Sequence, residues 1–238
     1  MDNSVYVALS KQVATERQLG MLAHNLANAS TTGYKAGSIM FSEYLVNDGK
    51  GKTSYALDYG VGRDTSQGGL ESTGNPLDIA IQGDGYFAVR TPEGERYTRA
   101  GNFTINQQGQ LATMDNYLVL DNAGQPIEFQ EQDETITFFT DGRMEVDGEE
   151  RTTIGVYKFE DERQLKYVSG NLYESAEAPV VAEDPRVAQG MIEQSNVKPI
   201  LEITKLITTQ RSFTSSNKFI SDMYDMQDNA IRTIGKAS

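Results

Sequence analysis

The sequence predicts an α+β fold, with a helix at each end of the chain and a mostly antiparallel β region between them. Apolar residues recur at helical spacing near both termini, whereas residues 37–194 are rich in β-branched residues, aromatic residues and glycine-bearing turns. Residues 37–194 carry 12 Lys and Arg against 28 Asp and Glu, a net charge of −16, whereas residues 1–36 sum to +1 and residues 195–238 to +2. Near-neutral helices beside an acidic β region are typical of an assembly subunit, because such helices can pack together at low electrostatic cost.

The composition argues against several classes of protein. The chain has 238 residues, a net charge of −13 and a pI near 4.5, so nucleic acid and anionic membranes, which attract basic surfaces, are not expected partners. It contains no cysteine, which rules out disulfides and thiolate chemistry. No stretch approaches the ~20 apolar residues of a membrane span, and the N-terminus lacks the pattern of a signal peptide. We therefore expect no membrane span, and export without cleavage if the chain leaves the cytoplasm.

The first element is predicted to be an amphipathic helix from about residue 4 to residue 28. Its apolar residues are separated by three or four positions, as one face of a helix requires. The segment Asn28–Gly33 should end the helix, because it combines side chains that bind nearby backbone with a glycine that can adopt a positive φ. The predicted apolar stripe consists of Val5, Leu9, Val13, Leu19, Leu22 and Leu26.

The last element is predicted to be a long helix that begins near Pro199, because proline is tolerated in a first helical turn. Two heptad columns along it combine apolar, amide and hydroxyl side chains, a pattern that favours packing against another helix. One column contains Leu206, Phe213, Ile220, Gln227 and Ile234, and the other contains Ile203, Gln210, Asn217, Tyr224 and Ile231. All of these except Gln227, together with the stripe of the first helix, form the predicted assembly interface. Residues 1–34 and 195–238 are thus predicted to form a coiled-coil-like assembly domain.

Residues 71–194 are predicted to form a β-rich outer domain of antiparallel hairpins. Short runs of β-branched and aromatic residues alternate there with turns that contain glycine. The runs predicted as strands are Leu77–Gln82, Tyr86–Arg90, Gly101–Ile105, Tyr117–Leu120, Thr135–Phe139 and Ile154–Phe159. Residues 35–70 show little periodicity, and we predict that they form an extended linker arm between the first helix and the β domain.

The sequence contains no recognisable catalytic, cofactor or metal site. His24 is the only histidine, so neither a histidine-based triad nor a pair of histidine ligands can form. Gly83–Gly85 lacks the third glycine of a dinucleotide loop, and Asp141–Glu150 lacks the spacing of a calcium loop. The many acidic residues leave open a peptidoglycan hydrolase with paired carboxylates, although most lie in turns rather than in apolar surroundings that shift a pKa. We predict that the chain is not an enzyme and needs no cofactor.

Five segments resemble the rod and hook family of the bacterial flagellum. The segments are 25–35 (NLANASTTGYK), 73–87 (TGNPLDIAIQGDGYF), 97–103 (YTRAGNF), 189–197 (QGMIEQSNV) and 207–213 (ITTQRSF). The first is similar to the family signature NNLANxxTxGFK, with His24 at the first asparagine and Tyr34 at the phenylalanine. Asn116 stands where the family usually has a glycine before an aromatic residue, and asparagine tolerates the left-handed conformation that such a turn needs. In order and spacing the segments cover nearly the whole chain.

The resemblance implies a structural subunit of the flagellar basal-body rod. It implies export through the flagellar type III apparatus without cleavage, a place in the periplasmic rod, and assembly with other proximal and distal rod proteins and with copies of itself. The helical ends would surround the export channel, with the β domain outside them. The opening residues 1–7 (MDNSVYV) and the compact β region look like the proximal-rod branch of the family. The alternatives are a distal-rod member and a secreted β-fibre protein from outside the flagellum.

Overall fold

The computed structural model describes residues 3–47 and 52–236. Within these ranges the chain forms a long helix near each end and eighteen β-strands, and every strand pairing is antiparallel. The predicted α+β class is confirmed, whereas coiled-coil pairing of the helices stays a prediction. The elements are α1 (Asn3–Ala27), β1 (Gly37–Asn47), β2 (Lys52–Arg63), β3 (Leu70–Ser72), β4 (Ile79–Ile81), β5 (Tyr86–Thr91), β6 (Gly94–Thr98), β7 (Thr104–Ile105), β8 (Leu111–Ala112), β9 (Leu118–Val119), β10 (Ile136–Phe138), β11 (Arg143–Val146), β12 (Glu149–Thr153), β13 (Val156–Lys158), a short 3₁₀ helix (Glu162–Gln164), β14 (Lys166–Tyr167), β15 (Leu172–Glu174), β16 (Val180–Val181), β17 (Val187–Gln189), β18 (Met191–Glu193) and α2 (Pro199–Lys236).

The chain divides into two compact units. The first, which we call the helix unit, contains α1, the ribbon of β1 and β2, and α2. The second, which we call the β unit, contains residues 28–36 and 65–197. These boundaries differ from the predicted ones, because residues 28–34 were expected to belong with the helices and residues 37–63 to an extended arm.

Strands β1 and β2 form a two-stranded ribbon where the sequence predicted the arm. Their pairing runs from Gly37 opposite Arg63 to Asn47 opposite Lys52, with one irregularity next to Met40. A ribbon that is not part of a larger sheet does not need one continuous buried face, so its strands need not alternate apolar and polar residues. Tyr55, Leu57, Tyr59 and Val61 recur at every second position of β2 and were the available signal for a strand, whereas β1 shows no such alternation.

The β unit is organised around a sheet with the strand order β14-β15-β6-β5-β9-β8-β7, in which β13 pairs with both β5 and β16. Each of the six runs predicted as strands contains a strand, from β4 in the first run to β13 in the last. Asn116 has a φ of 65°, so it adopts the left-handed conformation expected of it. The largest apolar core of this unit includes Ile79, Phe87, Val89, Leu111, Val119, Ile127, Met144, Ile154 and Val187, each at most 1% exposed.

A buried ionic cluster holds residues 28–36 in the β unit. The side chains of Lys35, Arg99 and Glu193 are 0%, 2% and 1% exposed. Lys35 Nζ lies 2.6 Å from Glu193 Oε1, and Arg99 Nη1 lies 3.3 Å from Glu193 Oε2. Burial lowers the pKa of the Lys35 ammonium below its ordinary value, and the neighbouring Glu193 carboxylate opposes that shift. One carboxylate thus joins the segment after α1, the segment after β6 and strand β18.

Gly33 lets the backbone of residues 28–36 approach this cluster. Its N–H donates a hydrogen bond to the Glu193 carbonyl oxygen at 2.7 Å. Its φ is 68°, and a Cβ at this position would clash with the backbone carbonyl carbon of Arg99. Glycine is therefore required here for two reasons, the left-handed conformation and the close backbone contact.

We expect Glu193→Ala to lower the free energy of unfolding of the β unit by about 3–5 kcal/mol, because it leaves two buried cations without their shared anion. Urea denaturation followed by near-UV circular dichroism of the tyrosines measures this loss. Glu183→Ala is the control, since Glu183 is exposed, and it should change the free energy by no more than about 0.5 kcal/mol. A similar small change in both variants would contradict a central role for the cluster.

Candidate assembly interface

Helices α1 and α2 pack side by side, and each buries one face at alternating intervals of three and four residues. We call these positions the seam. Its members are Ala8, Gln12, Thr15, Leu19, Leu22 and Leu26 on α1, and Glu202, Leu206, Thr209, Phe213, Ser216, Ile220 and Met223 on α2. All of them are buried or half-buried. Alternation of three and four is the spacing expected when two helices pack along their lengths.

The two helices run antiparallel. Asn25, close to the end of α1, donates a hydrogen bond from Nδ2 to Glu202 Oε2, close to the start of α2, at 3.0 Å. From this contact the seam continues backwards along α1 to Ala8 and forwards along α2 to Met223. The 25 residues of α1 span about 37 Å and the 38 residues of α2 about 57 Å. The last turns of α2 therefore extend past the beginning of α1.

The positions that follow each seam position by one residue form a second surface, which we call the flank. Each residue turns a helix by about 100°, so these positions lie on the same side of an antiparallel helix pair. The flank consists of Leu9, Val13, Glu16, Gly20, Ala23 and Ala27 on α1, and Ile203, Ile207, Gln210, Thr214, Asn217, Ser221 and Tyr224 on α2. All are exposed except Asn217, which is half-buried. Leu9 is 49% exposed, Val13 43%, Ile203 43%, Ile207 46% and Tyr224 59%.

The ribbon of β1 and β2 packs against α1 on the side away from the flank. Met21 and Asn25 precede the seam residues Leu22 and Leu26 by one position, and both lie next to Gly37 at the start of β1. Among the side chains that the structure describes in the helix unit, none covers the flank in this way. Its exposed apolar side chains lie in two places, with Leu9 and Val13 on α1 and Ile203 and Ile207 on α2.

The residues predicted as one interface divide between these two surfaces. The seam contains Leu19, Leu22, Leu26, Leu206, Phe213 and Ile220. The flank contains Leu9, Val13, Ile203, Gln210, Asn217 and Tyr224. Val5, Ile231 and Ile234, with Gln227 of the same heptad, lie outside the residues whose side chains the structure describes. The structure thus brings half of the described set together inside the chain and leaves the other half facing outwards.

Sequence reasoning missed the polar members of the seam, because it searched for apolar side chains. Glu202, Thr209 and Ser216 are 7%, 8% and 9% exposed, and they occupy the column that the heptad pattern left out. Thr15 is also buried, and its Oγ1 donates to the carbonyl oxygen of Lys11 at 2.6 Å, so its hydroxyl is satisfied within α1. The spacing of seven between Thr209 and Ser216 was the available signal.

Two further kinds of feature, a cluster of metal ligands and a membrane-spanning helix, are not found among the described residues. Among them, no group of three or more histidine and acidic side chains is placed to hold a metal ion. Neither helix, over the part of the chain that the structure describes, is long and apolar enough to cross a membrane.

Comparisons with known proteins identify the family. The chain matches the model for the flagella basal body rod protein over residues 6–35, the model for the flagellar hook protein FlgE/F/G D1 domain over residues 80–146, and the model for the flagellar basal body rod FlgEFG protein C-terminal region over residues 188–233. It is 36% identical to the flagellar basal-body rod protein FlgF of Mesorhizobium japonicum, with 100% of both chains covered. The chain belongs to the flagellar basal-body rod protein family.

Within this family, the chain is more similar to FlgF than to FlgG. FlgF of Caulobacter vibrioides is 36% identical, with 99% of each chain covered, whereas FlgG of Bacillus subtilis is 30% identical over 93% of this chain and 95% of its own. The predicted identity as a FlgF-like structural subunit of the flagellar basal-body rod is confirmed. Its relatives are structural rod proteins, and the matching family models indicate no catalytic family.

We expect Leu22→Ala to destabilise the helix unit by about 2–4 kcal/mol, because it removes a buried side chain from the seam. Leu9→Ala is the matched control on the same helix, and its cost should stay below about 1 kcal/mol because Leu9 is already half exposed. Hydrogen exchange of the α2 amides in the purified chain measures both effects. Equal loss of protection in the two variants would show that seam and flank are not distinct surfaces.

Proposed function

We propose that this rod subunit belongs to the proximal rod and binds its neighbours through the flank of the helix unit. The observation that carries the proposal is the row of exposed apolar residues on one side of the helix pair, with Leu9 and Val13 on α1 and Ile203 and Ile207 on α2. Exposed leucine, valine and isoleucine side chains that share one side of a helix pair can bind an apolar surface of a partner. Membership of a rod family makes other rod subunits the natural partners.

The assembly residues then act in two ways. The seam residues Leu19, Leu22, Leu26, Leu206, Phe213 and Ile220 hold α1 and α2 together within one subunit. The flank residues Leu9, Val13, Ile203, Gln210, Asn217 and Tyr224 contact a neighbouring subunit. We assign Val5, Ile231 and Ile234 to the same contacts from their positions in the sequence pattern. Many such contacts of modest energy, added over the rod, can transmit torque without any single strong site.

The remaining parts of the proposal follow from the family and the charge. We infer that the subunit passes through the flagellar type III export apparatus without cleavage and acts in the periplasmic rod, next to other rod proteins and copies of itself. It acts as a mechanical element and not as an enzyme. The acidic β unit should face solvent, because like charges on neighbouring subunits repel one another less when water and salt screen them over about 8 Å.

We expect Ile207→Asp to abolish rod assembly and motility, because the new carboxylate would be buried against a neighbour at a cost of about 3–5 kcal/mol for each contact. Thr208→Asp is the matched control, since Thr208 is exposed on the same helix but lies outside the flank. Both variants should keep the fold of the free subunit. The measurement is the swimming of a strain that lacks the wild-type protein and expresses each variant, together with the amount of variant in purified basal bodies.

Two results would decide whether the flank is the assembly interface. Loss of assembly in Ile207→Asp with normal assembly in Thr208→Asp supports the flank as the interface. Normal swimming of cells that express Ile207→Asp, at wild-type levels of protein, would reject it.

A further inference from the structure

Asn25 contacts three elements of the helix unit. Its Oδ1 accepts a hydrogen bond from the Gly37 N–H at 2.9 Å, and its Nδ2 donates to the Gly37 carbonyl oxygen at 2.8 Å. The same Nδ2 donates to Glu202 Oε2 at 3.0 Å. Asn25 is on α1, Gly37 begins β1, and Glu202 is in the first turn of α2. Asn25 is only 2% exposed, so these hydrogen bonds form away from water.

The asparagine amide satisfies this set of partners. Its amide offers two N–H donors and one carbonyl acceptor, and the three bonds use all of these groups. Towards Gly37 the amide behaves as a neighbouring strand would, because it pairs with both the N–H and the carbonyl of one residue. An aspartate could accept from the Gly37 N–H, but it has no donor for the Gly37 carbonyl or for Glu202.

The position of Gly37 keeps β1 close enough for this contact. A Cβ on Gly37 would lie 2.6 Å from Met21 Sδ, closer than such atoms approach. Any larger residue there would have to move the Met21 side chain or push β1 away from α1. The two Asn25 bonds to the backbone of Gly37 therefore set how the ribbon lies on α1, and the absence of a side chain at Gly37 leaves room there for Met21.

The partner of Asn25 on α2 is the Glu202 carboxylate, a buried anion whose loss of a hydrogen-bond donor would cost free energy. Glu202 is 7% exposed, and its second oxygen, Oε1, accepts a hydrogen bond from Lys205 Nζ at 2.8 Å. Its place in the first turn of α2 also suits a negative charge, because free N–H groups lie at the start of a helix. Asn25 supplies the donor from α1. Without it, the carboxylate would face α1 with no partner from that helix.

The rest of the seam does not specify one register by itself. Small residues repeat at intervals of seven, with Ala8 and Thr15 on α1 and Thr209 and Ser216 on α2, so a slip by two turns would keep the same alternation of small and large side chains. Such a slip would separate Glu202 from Asn25. A single buried polar contact can select one alignment from several of similar apolar packing.

We propose that Asn25 is a positioning residue that sets the register of α1 on α2 and anchors the β1–β2 ribbon to the helix pair. It acts on assembly through the flank, because a slip of two turns would move Leu9 and Val13 by about 10 Å relative to Ile203 and Ile207. This consequence for assembly rests on the proposed function. The effect on the helix pair itself does not.

Four variants of the full-length protein test the proposal. Asn25→Asp places a second carboxylate against Glu202. Glu202→Gln alone keeps an acceptor for Asn25. The double variant Asn25→Asp/Glu202→Gln restores a donor and an acceptor with their roles exchanged, although the Gly37 carbonyl still lacks its donor. Asn122→Asp makes the same chemical change at an exposed position of the β unit, and it serves as the control.

Hydrogen exchange of the α2 amides between Leu206 and Ile220 provides the first measurement. We expect protection to fall about 100-fold in Asn25→Asp and less than about tenfold in Glu202→Gln, since only the former creates facing carboxylates. The double variant should recover at least about tenfold relative to Asn25→Asp. Asn122→Asp should leave protection of α2 unchanged, and the amides of the β unit should be unaffected in all four variants.

Recovery in the double variant is the decisive result, because a residue with only a local structural role would not be rescued from the other helix. If adding Glu202→Gln makes Asn25→Asp no better, or if Asn25→Asp leaves protection unchanged, the proposal is wrong. Incorporation into basal bodies provides the second measurement. Normal incorporation of Asn25→Asp with failure of Ile207→Asp would overturn the link from register to assembly, whereas normal incorporation of both would overturn the flank as the interface.

Discussion

Two helices packed against each other can bury only one face of each, and this constraint accounts for the organisation of the helix unit. The seam uses that buried face on both α1 and α2. The β1–β2 ribbon packs on one further side of α1, through Asn25 and Met21. The flank is covered by neither of these contacts, and its leucine, valine and isoleucine side chains are exposed to water. A subunit with such a surface lowers its free energy by binding a neighbour, which is what a component of a polymeric rod has to do.

The β unit meets the opposite requirement, since it is complete within one chain. It has an apolar core made by its own strands, and it encloses the Lys35, Arg99 and Glu193 side chains as a paired cluster. Its polypeptide carries most of the negative charge of the protein, whereas the helices are nearly neutral. Negative charge on the exposed surface of the β unit opposes nonspecific association, because like charges repel. The nearly neutral, apolar surface of the helix unit is suited to specific association. The two units thus divide solubility and assembly between them.

The sequence predicted the fold class, both helices and six of the strands in the β unit, because these depend on local periodicity and on turns that contain glycine. It predicted the interface less well. The heptad columns of α2 were read as one seam, yet Phe213 lies against α1 while Ile203 and Gln210 face outwards. Periodicity shows which residues share a face but not which of two adjacent faces is covered. The Asn25–Glu202 and Lys35–Glu193 contacts could not be predicted either, since each joins residues more than 150 positions apart in the chain.

The central claim is that the flank is exposed in the free subunit and covered in the rod. The chain has no cysteine, so single cysteines can be introduced by Ile207→Cys in the flank and by Glu149→Cys on the exposed surface of the β unit. The measurement is the rate of maleimide labelling in the purified monomer and in isolated basal bodies. The account predicts that both variants react readily as monomers and that only Ile207→Cys becomes protected in basal bodies. Labelling of Ile207→Cys in basal bodies as fast as in the monomer would contradict it.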